Sequence, residues 1–188
     1  MPPRPPATRR TSPWWSRTRG LPPQVHESWR TGIAAQPGVP NRILAWARAE
    51  TGFCIGSPAL LSVGDEDGWR HVGWHRIEHG GWNAENRTLT WTEYGGRRES
   101  VGLPEAGRLP ELFRERVAAS IAVERFVAVT GDRGVTVTAR RDLGTPGTIS
   151  WHSSLTRGLS WSSEGVTETA ARATAELQAE YGSGPVGC

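Results

Sequence analysis

The chain has 188 residues, enough for one ordinary domain with a real core, and its ten Trp against three Phe, two Tyr and one Met make indole rings the main source of buried aromatic area. All 22 basic residues are Arg, and residues 1–20 carry five of them, Arg4, Arg9, Arg10, Arg17 and Arg19, with no acid. The remainder sets 17 Arg against 19 acids, a net of −2, so the high isoelectric point belongs to the tail and excludes a nucleic-acid reading of the body based on whole-chain charge.

Residues 1–20 are rich in Pro and Arg and contain no apolar run that serves as a signal core or spans a bilayer. Arg9-Arg10 resembles the start of a twin-arginine signal, but Trp14-Trp15 followed by Ser and Arg does not continue it. The expectation is a disordered basic tail on a cytoplasmic protein, with residues 183–188 as a second flexible end and residues 21–182 as a single domain. Removal of residues 1–20 is predicted to leave the fold and thermal midpoint nearly unchanged. The tail is also the place where nucleic acid or acidic lipid would be met, through charge that is not sequence-selective.

A short helix is predicted over residues 22–35, with two prolines in its first turn and Val25, Trp29 and Ile33 four apart on one face. Strands follow at close spacing over residues 43–49, 53–55, 59–63, 69–74, 77–82, 87–92 and 98–101, joined by turns such as Thr51-Gly52 and Gly95-Gly96. Residues 72–91 carry the strongest pattern, two strands about a polar turn, with Trp74, Trp82 and Trp91 expected in the core. A helix over residues 109–121 presents Leu109, Leu112, Phe113, Val117 and Ile121 as one stripe, with Glu111, Arg114, Glu115 and Arg116 toward water and Glu111 spaced to pair with Arg114. Three further strands form a meander over residues 123–129, 135–141 and 148–152, and a last helix over residues 166–181 presents Val166, Ala170, Ala173 and Leu177. The fold class is therefore α+β, mainly antiparallel β, with the cadence of a small sandwich or open barrel.

The residues offer little chemistry. Cys54 and Cys188 are the only thiols, neither a disulfide framework nor a metal set, which suits a reducing compartment and makes Cys54 a small buried apolar side chain. The terminal Gly-Cys lacks a prenylation pattern. His71, His75 and His79 have the spacing of a helical metal ladder, but Gly73, Gly80 and Gly81 interrupt any helix and no Cys or carboxylate cluster completes a zinc set. Glu93 and Glu99 flank a turn and are placed to face each other across a hairpin, as a general acid and base require, though solvated carboxylates are the ordinary outcome there. Ser153 and Ser154 beside His152 point to opposite faces of a strand, and no nucleophile elbow, P-loop, dinucleotide fingerprint or zincin motif occurs. No catalytic, cofactor or metal residue is assigned, and a non-enzymatic protein is expected. The paired cations Arg97, Arg98, Arg140 and Arg141 are the body's candidates for an anion or partner contact.

The stretches G-W-H-R-I-E-H-G-G-W-N-A-E-N-R-T-L-T-W, R-L-P-E-L-F-R-E-R-V-A-A-S-I and R-G-V-T-V-T-A-R-R together resemble uncharacterised actinobacterial proteins that look like bacterial pleckstrin-homology-like domains. That resemblance spans residues 43–181 and implies a bent sheet or half-barrel closed by a helix, with residues 109–121 as that helix. It brings no activity with it. A plain domain of this type ends on the helix, so the meander and final helix are an extension. Phosphoinositide binding, the activity most associated with the wider superfamily, calls for cations converging from the first hairpin, yet residues 49–52 read Ala-Glu-Thr-Gly with only Arg48 beside them. The expectation is a protein or peptide interaction module, with a groove between the sheet and the helix over residues 109–121 as its working surface.

Overall fold

The computed structural model describes residues 20–36 and 38–182. Helix α1 (Pro23–Ala34) starts on a proline, whose missing N–H is no loss in a first turn. Strands β1 (Ala45–Arg48), β2 (Phe53–Gly56), β3 (Leu60–Gly64) and β4 (Trp69–Gly73) form an antiparallel sheet in sequential order. The β1–β2 turn is tight: Gly52 sits at φ 76°, and a Cβ there would lie 2.3 Å from the Gly64 carbonyl oxygen. A single 3-10 turn, Trp74–Arg76, leads into a second antiparallel sheet of β5 (Ile77–Asn83), β6 (Thr88–Glu93) and β7 (Arg98–Gly102). Helix α2 (Leu109–Ser120) follows, and then β8 (Ile121–Thr130), β9 (Arg133–Arg141) and β10 (Ile149–Leu155), a third sheet in the order β10-β9-β8, and helix α3 (Val166–Gly182). Among the described residues the fold is α+β, with antiparallel strands in three sheets and three α-helices, and no sheet closes into a barrel.

Period-two alternation builds the main core. Along β6, Leu89, Trp91 and Glu93 point inward while Thr88, Thr90 and Thr92 stay partly exposed. Leu89 and Trp91 join Cys54, Leu61 and Val72 of the first sheet, Trp74 and Ile77 at the connection, and Leu109, Leu112 and Phe113 of α2. Trp74 is fully buried, packs edge-on against Phe113 at 5.9 Å between ring centres, and donates from Nε1 to the Ser57 carbonyl at 3.0 Å. The first sheet is covered on both faces, since Cys54 faces this core while its neighbour Ile55 packs against Trp29 and Ile33 of α1. A third cluster holds α3 on the last sheet through Val135, Val137, Val166, Ala170, Ala173 and Leu177.

Several sequence expectations need correction. Trp82 is only half-buried, because β5 is the outermost strand of its sheet and the register shift between Ile77 and His79 displaces the pattern that places Trp74 and Trp91 inside. Glu111 approaches Arg108, at 3.8 Å, instead of Arg114, and Arg108 also reaches Glu115 at 3.4 Å. Glu115 and Arg116 are half-buried, and Ile121 begins β8 instead of ending the helix.

Candidate functional site

The side chains that line the space between β5 and α2 are set by two consecutive glycines. At Gly80 a Cβ would fall 2.8 Å from Cζ of Phe113 and 2.5 Å from the Thr90 carbonyl oxygen, so the helix seats its aromatic ring where a side chain would stand. Gly81 has nothing within 4 Å of the same position. A groove of about 610 Å³ results, lined by Gly80, Gly81, Trp82, Phe113, Val117 and Ile121 among others, with Glu111 and Arg114 at its rim. Strand β5 pairs with β6 on one side only among the described residues, so the strand beside the groove has an unpaired edge. Consecutive glycines within a strand were the sequence signal for this opening.

The four cations singled out from the sequence do not converge. Arg97, Arg98 and Arg141 are exposed, with Arg97 Nε 2.6 Å from Glu99 Oε1. Arg140 is 3% exposed and is a strut within the molecule. Its guanidinium donates to the Tyr94 hydroxyl (3.2 Å), the Val117 carbonyl (3.0 Å), Ser120 Oγ (2.9 Å) and the Glu78 carbonyl (3.1 Å), and it lies 5.6 Å from the centre of the Tyr94 ring. One β9 side chain thus ties the end of α2, strand β5 and the β6–β7 turn together.

Two histidines share this joint. The His152 ring stacks on Tyr94 at 3.7 Å and 8°, and its Nε2 meets Ser150 Oγ at 2.9 Å. Ser150 lies two residues back on the same strand face, so it is the hydroxyl that His152 meets in place of Ser153 or Ser154. Burial, with Arg140 and His75 nearby, holds His152 below its ordinary pKa. His75 Nδ1 lies 3.5 Å from Asp142 without a hydrogen bond, and burial lowers its pKa against the pull of Asp142, with Arg76 and Arg140 adding to the lowering. Burial also lowers His71, whose Nδ1 is 2.8 Å from Ser62 Oγ, the acceptor of the Trp29 indole N–H. His79 is exposed on β5. The three histidines of the apparent ladder thus occupy β4, the 3-10 turn and β5, and no group of three or more His, Cys, Asp or Glu is gathered for a metal among the described residues.

Glu93 and Glu99 do not face each other as a free acid and base pair. Arg70 of β4 lies between them, paired through Nη2 with Glu93 and through Nη1 with Glu99 at 3.0 Å, and Arg76 Nε stands 3.9 Å from Glu93. Glu93 is buried, where the sequence suggested a solvated carboxylate. Cys54 is fully buried, and burial pushes its thiol pKa up, which disfavours the thiolate. Arg4, Arg9, Arg10, Arg17, Arg19 and Cys188 lie outside the described residues. No helix among the described residues is long and apolar enough to cross a membrane. The chain matches no family model, no curated protein and no solved structure.

Proposed function

We propose that this is a cytoplasmic, non-enzymatic, pleckstrin-homology-like module that recognises an extended peptide by adding it as a further strand beside β5. The observation that carries the reading is the unpaired β5 edge next to an open groove whose far wall is α2. An extended segment gains main-chain hydrogen bonds from such an edge, and alternate side chains gain pockets. Gly81 leaves room for backbone approach, half-buried Trp82 offers a flat apolar surface, and Phe113, Val117 and Ile121 complete the apolar lining. Two antiparallel sheets around one core, closed by α2, support the pleckstrin-homology-like part of the proposal. The first hairpin argues against headgroup binding: Arg48 lies over the Phe53 ring at 5.9 Å and Glu50 is exposed beside it.

The test is selection of binders from a random-peptide display library with the full-length protein, followed by affinity measurement on synthetic copies. Recovered peptides should bind with modest salt dependence. Trp82→Ala and Val117→Arg should each weaken binding about tenfold or more, a loss of about 1.4 kcal/mol, while Arg141→Gln leaves it unchanged. Peptides indifferent to both groove variants would sink the reading. Binding that vanishes at moderate salt and requires the arginines of residues 1–20 would favour association of nucleic acid or acidic membrane with the tail instead.

A further inference from the structure

A second groove, of about 660 Å³, runs along β1, the outermost strand of the first sheet. Trp46 and Phe53, 6.2 Å apart between ring centres, form its apolar wall. Exposed Glu50 and Glu105 lie along it, brought to the same side because the Glu50 N–H donates to the Gly102 carbonyl at 3.0 Å and so pins the β1–β2 turn against the end of β7. Arg48 is the cation in this lining, and its guanidinium is turned over Phe53. Pro22 also lines the groove, and Leu21 packs into the same cluster as Trp46. The first described residues of the chain therefore lie beside this groove.

The segment that precedes them in sequence has the matching chemistry. It holds Trp14 and Trp15 for an aromatic wall, and five arginines with no acid for the two exposed carboxylates. Reach is sufficient: the seven residues from Trp15 to Pro22 extend to at most about 24 Å, and the four residues of β1 span only about 13 Å. We propose that the groove along β1 is occupied by the chain's own residues 14–19, with an indole against Trp46 and Phe53 and with Arg17 or Arg19 paired with Glu50 and Glu105. Tethering makes a weak contact sufficient, because an attached segment faces its site at an effective concentration in the millimolar range. The lining of the groove belongs to the folded body, so occupation would add to that body and not build it.

The experiment is cleavage by an arginine-specific protease, comparing the full-length protein with a free synthetic peptide of residues 8–22. Cleavage after Arg17 and Arg19 should be about tenfold slower in the protein, the factor expected for a tenth-millimolar site at millimolar effective concentration. Glu50→Lys and Glu105→Lys, both at exposed positions, should bring the rate to within about twofold of the peptide while the thermal midpoint stays unchanged. Adding Arg19→Glu to Glu105→Lys should restore protection at Arg17. Cleavage of the wild-type protein as fast as the peptide would overturn the assignment. Protection that survives both charge reversals, or that rises with protein concentration because a second copy supplies the arm, would overturn it equally.

Discussion

Around β1–β7 the buried side chains are large: Trp74, Trp91, Phe113 and a set of leucines fill the space between two sheets and α2. Between β8–β10 and α3 they are small, three valines and two alanines with Leu177 as the one bulky member. Small residues let a helix lie close to a sheet but remove less apolar surface from water per residue, at roughly 25 cal/mol per Å². The last sheet also shows more to solvent, with Phe126 51% exposed on β8. The two regions are thus unequal partners, and the second, with its own modest core, is joined to the first by the hydrogen bonds of Arg140 and the His152–Tyr94 stack.

The largest expected effect lies in the first region. Trp74→Ala should cost about 3–5 kcal/mol, since it empties an indole-sized space and leaves the Ser57 carbonyl without its donor. Urea unfolding followed by fluorescence and by circular dichroism should shift together, and a mild effect would break the claim that this core dominates. Next comes the joint: Arg140→Met should cost about 2–4 kcal/mol, because the Val117 and Glu78 carbonyls lose a buried donor. Hydrogen exchange should then quicken in β8–β10 before it does in β1–β7. Equal protection in both sheets would show that the last one stands without the strut.

Leu177→Ala should cost about 2 kcal/mol, at the low end for such a truncation because its neighbours on α3 are alanines that allow the helix to settle. Its exchange signature should stay within α3 and β8–β10, and spread into β1–β4 would contradict the division. The smallest effect concerns pH. His75 and His152 are held below their ordinary value of 6.5, so between that value and their folded values the unfolded chain binds more protons than the native one. Stability from this source is complete above pH 6.5 and is lost as pH falls below it. The thermal midpoint should drop between pH 7.5 and 5.5, and His152→Phe, which keeps a ring against Tyr94, should reduce the drop.

The elements were legible where a local period carried them. Val25, Trp29 and Ile33 marked the buried face of α1, and the alternation in Thr88–Glu93 marked β6. Trp82 was misread because edge position and a register shift are properties of the assembled sheet, not of a window of residues. Arg140 looked like a surface cation since charged side chains on strands are usually solvated, and its acceptors are contributed by residues 20 to 62 positions away. The Arg70 pairing of Glu93 is hidden in the same way, across 23 positions. Of the β5–α2 groove, the Gly80-Gly81 step and the helix stripe were visible, but their meeting was not.

Helix α2 passes into β8 with no intervening residue: Ser120 closes the helix and Ile121, at φ −73° and ψ 118°, is already extended. The junction therefore contains no slack. A few residues inserted after Ser120 would push β8 out of register with β9 and pull Ser120 and Val117 away from Arg140, whereas the same insertion in the exposed loop segments over residues 145–148 or 157–164 would be absorbed at the surface. Length variation among descendants of this chain should accordingly collect in those two loops and be excluded from the helix–strand junction, which makes that peptide bond the least editable point of the backbone.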